Sequence, residues 1–171
     1  LTRSQLIGGT DWQSVSGATA STNSVVAPDL TTTASTLTVA SGGYYRQITG
    51  VATISAGATY TFSCYVKASA SGGASNVRLT TNNVNAWNTG FSTRFALTSS
   101  WQRVSVSGTI TGATSCYAII GAIDATGSND ALCAGNVDVW GAQLELASSV
   151  GTYIPTTTAP IYGTPTLSFS G

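Results

Sequence analysis

The sequence predicts an all-β domain, a two-sheet antiparallel β-sandwich of the jelly-roll type, and three observations support this fold class. Apolar and polar residues alternate with a period of two in several short segments, which places one side of an extended strand in a core. No segment has the 3.6-residue periodicity of an amphipathic helix. About nine or ten such strands recur with turn residues between them, a count and spacing typical of sandwiches and jelly rolls.

Length and composition narrow the class of protein further. The chain has 171 residues, 42% of them hydrophobic and only 7% charged, with a formal net charge of zero. A chain of this length can form one domain with a sizeable core. Its few charges and zero net charge give no basic patch of the kind that nucleic acid binding requires. The longest apolar run, residues 117–123, is far shorter than the roughly 20 residues of a membrane-spanning helix. We expect neither a nucleic acid partner nor membrane insertion.

Residues 1–33 are predicted to be irregular. Gly8-Gly9 and Ser16-Gly17 are turn signals between short extended pieces. Trp12 is expected to close one end of the core. The strands become clear from Ser35 onward, where alternation begins.

The most regular strand is predicted for residues 59–68. Tyr60, Phe62, Cys64 and Val66 would point to one side of this strand, and the residues between them to the other. A second long strand is expected between Trp101 and Ile110, with Val104 and Val106 inward. Residues 117–123 are apolar on both faces, which predicts either a central strand covered on both sides or a strand at an oligomer interface.

The last strand carries an irregularity of its own. Val137 and Val139 are out of phase with Trp140, Ala142 and Leu144, so we predict a β-bulge near Trp140 and Gly141. Tyr153-Ile154-Pro155 then leads the chain out of the sheet, because proline cannot donate to a central ladder. We therefore expect a sandwich domain over residues 1–155 and a linker or exchanged arm over residues 156–171. The chain contains no methionine and starts at Leu1, and we expect it to be part of a longer product.

Three cysteines lack the spacing of zinc or redox motifs. Cys64 is expected to be a small buried hydrophobic residue, because it alternates with Phe62 and Val66. Cys116 and Cys133 flank a strand and a loop rich in Gly, Asn and Asp, and they are a candidate disulfide or two free thiols.

The residue inventory argues against catalysis. The chain has no histidine, the usual general base of a nucleophile arrangement and the commonest metal ligand. Glycoside hydrolysis needs two opposed carboxylates, and most of the six acids occupy turn positions. We expect a protein that is not an enzyme and has no cofactor. A structural calcium remains open, around Asp124 and Asp130 or between Asp11 and Asp138.

A set of outward-facing residues fits a glycan site. Aromatic rings stack on the apolar faces of sugars, while Arg and Lys donate hydrogen bonds to the hydroxyl groups. The candidate glycan-binding residues are Tyr65, Lys67, Trp87, Arg94, Trp101 and Arg103, and Arg78 is also outward. The alternative is structural, with Trp101 as a lid on the core and the arginines paired with carboxylates or lining a subunit contact.

Five stretches, in order along nearly the whole chain, resemble a known family. They are APDLTTTA from Ala27, AGATYTFSCYVKA from Ala56, WQRVSVSGT from Trp101, WGAQLE from Trp140 and YIPT from Tyr153. Together they resemble a jelly-roll domain of tailed-phage structural proteins, which is distantly similar to carbohydrate-binding modules. The last two stretches are the most specific. Two departures exist: Leu30 stands where the family commonly has glycine, and Cys64 where valine is usual.

The resemblance implies a role on a virion. Such domains are appended modules of tail fibres, spikes, head fibres and decoration proteins, which implies glycan contact and particle assembly. We expect a non-catalytic module on the virion surface or otherwise extracellular, with other virion proteins, copies of itself and host-surface glycans as partners. The alternative is a purely structural, self-assembling fibre or capsid subunit without a ligand. The proline-containing tail and the apolar strand at residues 117–123 would then carry homo-oligomer contacts.

Overall fold

The protein is an all-β sandwich in a computed structural model that describes residues 4–39, 44–47, 52–53, 55–82, 91–111, 115–123 and 134–156, with backbone alone at 45–47, 52–53, 81–82, 115–116 and 122–123. These ranges contain eleven strands and no α-helix. The strands are β1 (Trp12–Val15), β2 (Thr19–Val25), β3 (Ala34–Val39), β4 (Tyr44–Gln47), β5 (Ala52–Thr53), β6 (Ala58–Ala68), β7 (Asn76–Asn82), β8 (Phe91–Ala96), β9 (Gln102–Ile110), β10 (Ser115–Ile123) and β11 (Gly135–Glu145). In this part of the chain, no helix of the length and hydropathy that a membrane span needs is found.

Two sheets form the layers of the sandwich. The six-stranded sheet has the order β1-β4-β10-β7-β8, with β5 also paired to β10, and the five-stranded sheet has the order β2-β3-β11-β6-β9. Every described pairing is antiparallel. Since the late strands β10 and β11 lie between early ones, the connections cross between sheets as in a jelly roll. The predicted fold class is confirmed.

The main core lies between the two sheets. Phe62, Cys64 and Val66 of β6 are fully buried in it, and Tyr60 is buried at one end. The predicted inward side of this strand is therefore confirmed. Trp12 is buried in the same core, as predicted for a residue that closes one end.

Strand β10 occupies the centre of the six-stranded sheet and is buried on both faces. Ile120 packs into the main core, whereas its neighbour Ile119 faces the other way and packs against Tyr44. Both isoleucines have 1% or less of their surface exposed. The prediction of a central strand covered on both sides is confirmed, and this burial explains why apolar residues do not alternate with polar ones here.

The predicted bulge lies in β11. Trp140 is opposite Tyr65 and Gln143 is opposite Ser63, so β11 uses three steps where β6 uses two. Gly141 has a φ of 64°, in the left-handed region that favours glycine. The extra residue lets Val139 and Ala142 both face the main core, while Trp140 faces outward.

The turn after Pro28 is unusual for its sequence. Leu30 has a φ of 68° and is 85% exposed. Its amide donates to the carbonyl oxygen of Ala27 at 3.0 Å, and the Ala27 amide donates to that of Thr31 at 2.8 Å. The turn thus forms without glycine, although the backbone conformation at Leu30 is one that glycine adopts without strain.

Candidate functional site

Three of the predicted glycan-binding residues lie on the outer face of the five-stranded sheet. Tyr65 of β6 is directly opposite Arg103 of β9 on one side and Trp140 of β11 on the other. Lys67 lies two residues further along β6, on the same face as Tyr65. Directly opposite residues of antiparallel strands share a face, so the sheet brings these side chains together.

The aromatic rings on this face pack against one another. The Tyr65 ring meets the Trp140 ring at a centroid distance of 5.4 Å and an angle of 62°, an edge-to-face contact. Tyr153 joins from outside the sheet, with its ring 4.8 Å from Trp140 and 6.0 Å from Tyr65. Trp140 is buried at 4% exposure. We call this group, with Trp101 at its edge, the outer cluster; its rings leave little free face for a sugar.

Arg103 is used inside the outer cluster. Its guanidinium carbon lies 5.6 Å from the centre of the Tyr65 ring and 5.9 Å from that of Tyr153. It donates hydrogen bonds to the carbonyl oxygen of Gly151 at 2.6 Å and to the Ser63 hydroxyl at 3.0 Å. Arg103 therefore stabilises the chain that crosses this face by cation–π contacts and hydrogen bonds.

Lys67 and Trp101 form the more accessible edge of the outer cluster. The Lys67 ammonium lies 5.1 Å from the centre of a Trp101 ring and 3.6 Å from an Asp138 carboxylate oxygen. Asp138 also accepts a hydrogen bond from the Thr36 hydroxyl at 2.8 Å. The Trp101 indole N–H donates to the Val26 carbonyl oxygen at 3.0 Å. Both side chains thus have protein partners, and both are partly exposed.

Residues 146–156, which we call the exit segment, cover part of this face. The side-chain amide of Gln143 donates to Thr152 O at 3.0 Å, and its oxygen accepts from the Ile154 amide at 2.7 Å. The Glu145 carboxylate accepts from the Gly151 amide. These bonds hold the exit segment along β11 although it forms no regular strand.

Tyr153 fixes the exit segment to the start of the chain. Its hydroxyl shares a hydrogen bond of 2.7 Å with the Ser4 hydroxyl. Burial raises the pKa of Tyr153 to about 12, and the bond to Ser4 offsets only part of this effect. The phenol is therefore neutral over the physiological pH range and acts as a structural group.

The structure brings four of the six predicted glycan-binding residues together and separates a fifth. Tyr65, Lys67, Trp101 and Arg103 belong to the outer cluster, whereas Arg94 lies in β8 at the edge of the six-stranded sheet. Trp87 lies outside the described residues. A glycan-binding role for each of these residues stays a prediction.

Two members of the outer cluster, Trp140 and Tyr153, were not among the predicted site residues. The predicted change of phase lies at this point, but it grouped Trp140 with Ala142 and Leu144, which face the core, whereas the structure turns Trp140 outward. Tyr153 has no such signal, because it belongs to an irregular segment.

The outer face of the six-stranded sheet carries a second set of candidate residues. Tyr44 and Ile119 pack together there with Val15 and Tyr117. In the next strand, the Thr80 hydroxyl shares a hydrogen bond of 2.8 Å with that of Ser92, its cross-strand neighbour. Aromatic, apolar and hydroxyl groups thus share this face of the sheet, where Tyr44, Ile119 and Thr80 are buried.

One row of this face crosses all five strands of the sheet order. Arg78 of β7 is opposite Arg94 of β8 on one side and Gly121 of β10 on the other. The register of β4 against β10 places Tyr44 opposite Gly121, and Tyr44 is opposite Val15 of β1. Gly121 adds no side chain to this row, and it is buried, as are Tyr44 and Arg78 on either side of it.

The structure describes only some of the cysteines and acidic residues of the predicted disulfide and metal sites. Cys64 is a free, fully buried thiol, as predicted, and burial raises its pKa from 9.0 to about 12. Cys133 and the side chain of Cys116 lie outside the described residues, as do Asp124 and Asp130. In the part of the chain that is described, no three acidic or thiol side chains gather to form a metal site.

The fold can be compared with known proteins. The sequence matches no protein-family model, and no curated protein matches it. The CBM22-1 xylan-binding domain of Paenibacillus barcinonensis Xyn10C is similar in structure, with a TM-score of 0.59 at 13% identity over 88% of this chain and 95% of that domain.

Two multi-domain structures contain a similar domain. The CBM22-1–CBM22-2 tandem of the same xylanase gives a TM-score of 0.58 at 12% identity, over 95% of this chain and 46% of the tandem. The CBM22-1–GH10 modules of Clostridium thermocellum Xyn10B, in complex with xylohexaose, give 0.53 at 11% identity, over 86% of this chain and 28% of that one. The chain therefore has the jelly-roll fold of carbohydrate-binding modules, and that part of the predicted resemblance is confirmed.

Proposed function

We propose that the domain is a non-catalytic glycan-binding module of a virion surface protein and that it binds sugars on the outer face of the six-stranded sheet. The observation that carries the proposal is the composition of this face. Arg94 and Gln13 are exposed on it and Tyr117 and Ser92 are partly exposed, around a centre where Tyr44, Arg78 and Gly121 are buried. Sugar sites combine apolar surface with a few fixed hydrogen-bonding groups.

The outer face of the five-stranded sheet is less suited to a sugar, because its side chains already contact one another. On the five-stranded sheet, Tyr65, Trp140 and Tyr153 use their rings on one another, and Arg103 bonds to Gly151. We propose that Tyr65 and Arg103 mainly hold the exit segment, and that Lys67 and Trp101 stabilise the same face through Asp138 and Val26. Arg94 is then the predicted residue that contacts a glycan.

The absence of catalysis is proposed from the residue inventory and the engaged carboxylates. The sequence has no histidine. Asp29 accepts hydrogen bonds in its own turn from Thr31, Asp138 pairs with Lys67, and Glu145 accepts from Gly151. Groups committed in this way are poor candidates for the opposed acid and base of a glycosidase.

The virion location is proposed from the sequence motifs. WGAQLE and YIPT resemble a jelly-roll domain of tailed-phage structural proteins, and both build the outer cluster and the exit segment. A fibre, spike or decoration protein on the virion surface would expose such a module to host glycans and to other virion proteins.

A second candidate function is structural self-assembly. Among the described residues, five large apolar side chains are exposed, two of them in the stretch before β3 and three in the exit segment. They are Val26, Leu30, Leu146, Val150 and Ile154. An apolar surface of this kind can be buried between copies of a fibre or capsid subunit.

A glycan array tests the main proposal. We expect the purified domain to bind at least one class of immobilised oligosaccharide and to release no reducing ends from it. Binding to no glycan would contradict the proposal. Light scattering over a concentration series tests the second candidate: a stable homo-oligomer without glycan binding would favour it, and a monomer at high concentration would count against it.

A further inference from the structure

The large apolar side chains that are exposed in the described part of the chain lie on one side of the sandwich. Two belong to residues 26–33, which we call the β2–β3 turn, and three to the exit segment; they are Val26, Leu30, Leu146, Val150 and Ile154. Both segments pack on the outer face of the five-stranded sheet, because Ala27, Trp140 and Tyr153 belong to one apolar cluster there.

Hydrogen bonds bring the β2–β3 turn and the exit segment to the same part of this face. The Trp101 indole donates to the Val26 carbonyl oxygen. Arg103 donates to the carbonyl oxygen of Gly151, which follows Val150 in the exit segment. Since Trp101 and Arg103 are only two residues apart in the chain, the two segments lie side by side. Their five exposed side chains form one surface, which we call the apolar patch.

Leu30 is unusual within the apolar patch in two ways. Its side chain is 85% exposed, and its backbone has a φ of 68°, which is strained for any residue other than glycine. The turn around it is fixed, because Asp29 accepts two hydrogen bonds from Thr31, and the Trp140 indole donates to the Thr33 hydroxyl. Backbone strain of this kind is retained mainly where it serves a contact, and a rigid turn loses little entropy on binding.

The size of the apolar patch matches what a dimer needs. The exposed parts of its five side chains amount to roughly 500 Å² per copy, near the upper limit for the largest patch on a monomer. Two such patches facing each other bury about 1,000 Å², the least that a stable interface requires. Charged groups beside the patch are already bonded within the domain, Lys67 to Asp138 and Glu145 to Gly151.

A second copy of the chain is the partner that best matches this patch. Among the described residues, the other large apolar side chains are not exposed, so a head-to-tail contact would place the patch against a polar surface. A two-fold contact places it against itself.

We propose that the domain forms a closed two-fold dimer in which the two apolar patches face each other and each Leu30 packs against the other copy. This inference goes beyond the proposed function, and it leaves the outer face of the six-stranded sheet free in both copies. It also differs from assembly into a fibre or capsid, because a two-fold contact is complete after two copies.

Sedimentation velocity of the purified chain, without any glycan, tests the dimer. We expect a monomer–dimer equilibrium with a dissociation constant on the order of micromolar and no larger species.

Three variants locate the contact. Leu30→Asp places a charge inside the interface and should leave a monomer at every concentration. Leu30→Gly removes the side chain and relieves the backbone, so the fold is kept, and it should weaken the dimer about tenfold. Thr93→Asp is the matched control, because it adds the same charge at an exposed position of β8 in the other sheet. It should dimerise as the wild type does.

Three results would overturn the inference: a wild-type monomer at every concentration, association beyond two copies, or a dimer that both Leu30 variants leave unchanged. Loss of the dimer in Thr93→Asp would do the same, because it would place the contact on the other sheet. These outcomes leave glycan binding on the six-stranded sheet untouched, and a failure on the glycan array would leave the dimer untouched.

Discussion

The hydroxyl groups of Ser4 and Tyr153, 149 positions apart in the chain, share a hydrogen bond of 2.7 Å. Ser4 also exchanges bonds with Thr156 and accepts one from the Ala142 amide through its carbonyl oxygen. The beginning of the chain and the exit segment are thus fastened to each other and to β11. This explains the YIPT stretch physically: its tyrosine supplies the bond, and its proline follows the last amide held by Gln143.

Loss of the Tyr153 hydroxyl should weaken this fastening. We expect Tyr153→Phe to lower the free energy of unfolding by about 1 kcal/mol, the usual contribution of one hydrogen bond. Ser4→Ala should cost more, because the Ser4 hydroxyl also accepts from the Thr156 amide. Urea unfolding of both single variants and the double variant measures their coupling. Strictly additive effects would contradict a direct interaction.

The bulge glycine should tolerate no side chain. A Cβ at Gly141 would lie 3.1 Å from the Tyr65 ring and 3.2 Å from the Tyr153 ring, at a φ of 64°. Backbone strain and crowding together predict that Gly141→Ala lowers the free energy of unfolding by about 2–3 kcal/mol. Gly57→Ala is the matched control, since Gly57 has a φ of 83° and open space around it.

Gly57→Ala should lower the free energy of unfolding by only about 1 kcal/mol, because it adds backbone strain without crowding. Thermal or urea unfolding of the two variants gives the difference. Equal losses at both positions would contradict tight packing of the aromatic rings over the bulge.

Replacing Leu30, which has a left-handed backbone conformation, by glycine should stabilise the protein. Leu30→Gly should raise the free energy of unfolding by about 0.5 kcal/mol, because relief of the left-handed conformation exceeds the added entropy of the unfolded chain. Little packing is lost, since the side chain is 85% exposed. Leu146→Gly, at another exposed leucine without positive φ, should instead destabilise the protein. A loss of stability in both variants would argue against strain at Leu30.

Burial of the Cys64 thiol should make the folded protein less stable at alkaline pH. Burial raises the pKa of the folded thiol from 9.0 to about 12, so it stays protonated while the unfolded chain loses this proton as the pH rises through 9.0. The folded state then binds more protons than the unfolded state, and the free energy of unfolding falls as pH rises toward 12.

Cys64 alone lowers the free energy of unfolding by at most about 1.4 kcal/mol for each pH unit. Urea unfolding of the wild type and Cys64→Val between pH 8 and 11 isolates it, because other titrating groups are common to both. We expect the two curves to diverge above about pH 9, with the valine variant losing less stability. Parallel curves would contradict the burial of a neutral thiol.

The sequence predicted the features that depend on local period. Alternation over residues 59–68 predicted the inward side of β6, and the phase change at Gly141 predicted the bulge in β11. These signals are local because the side-chain period of a strand is two wherever one face is buried.

The site could be predicted only in part, because it depends on strand order and on what covers each face. Alternation identified Tyr65 and Arg94 as outward, but it cannot tell that β6 and β8 belong to different sheets. It also gave no sign that the exit segment, more than 80 residues away in sequence, lies over Tyr65. A side chain that faces outward from its sheet is therefore not always accessible to a ligand.

An amide chemical-shift titration with a glycan selected from the array tests the central claim most directly, since it locates the ligand on one face of the sandwich. We predict that the largest shifts fall in β7, β8 and β10, around Arg78, Arg94 and Tyr117. The largest shifts around Tyr65, Lys67 and Trp101, on the five-stranded sheet, would contradict the assignment.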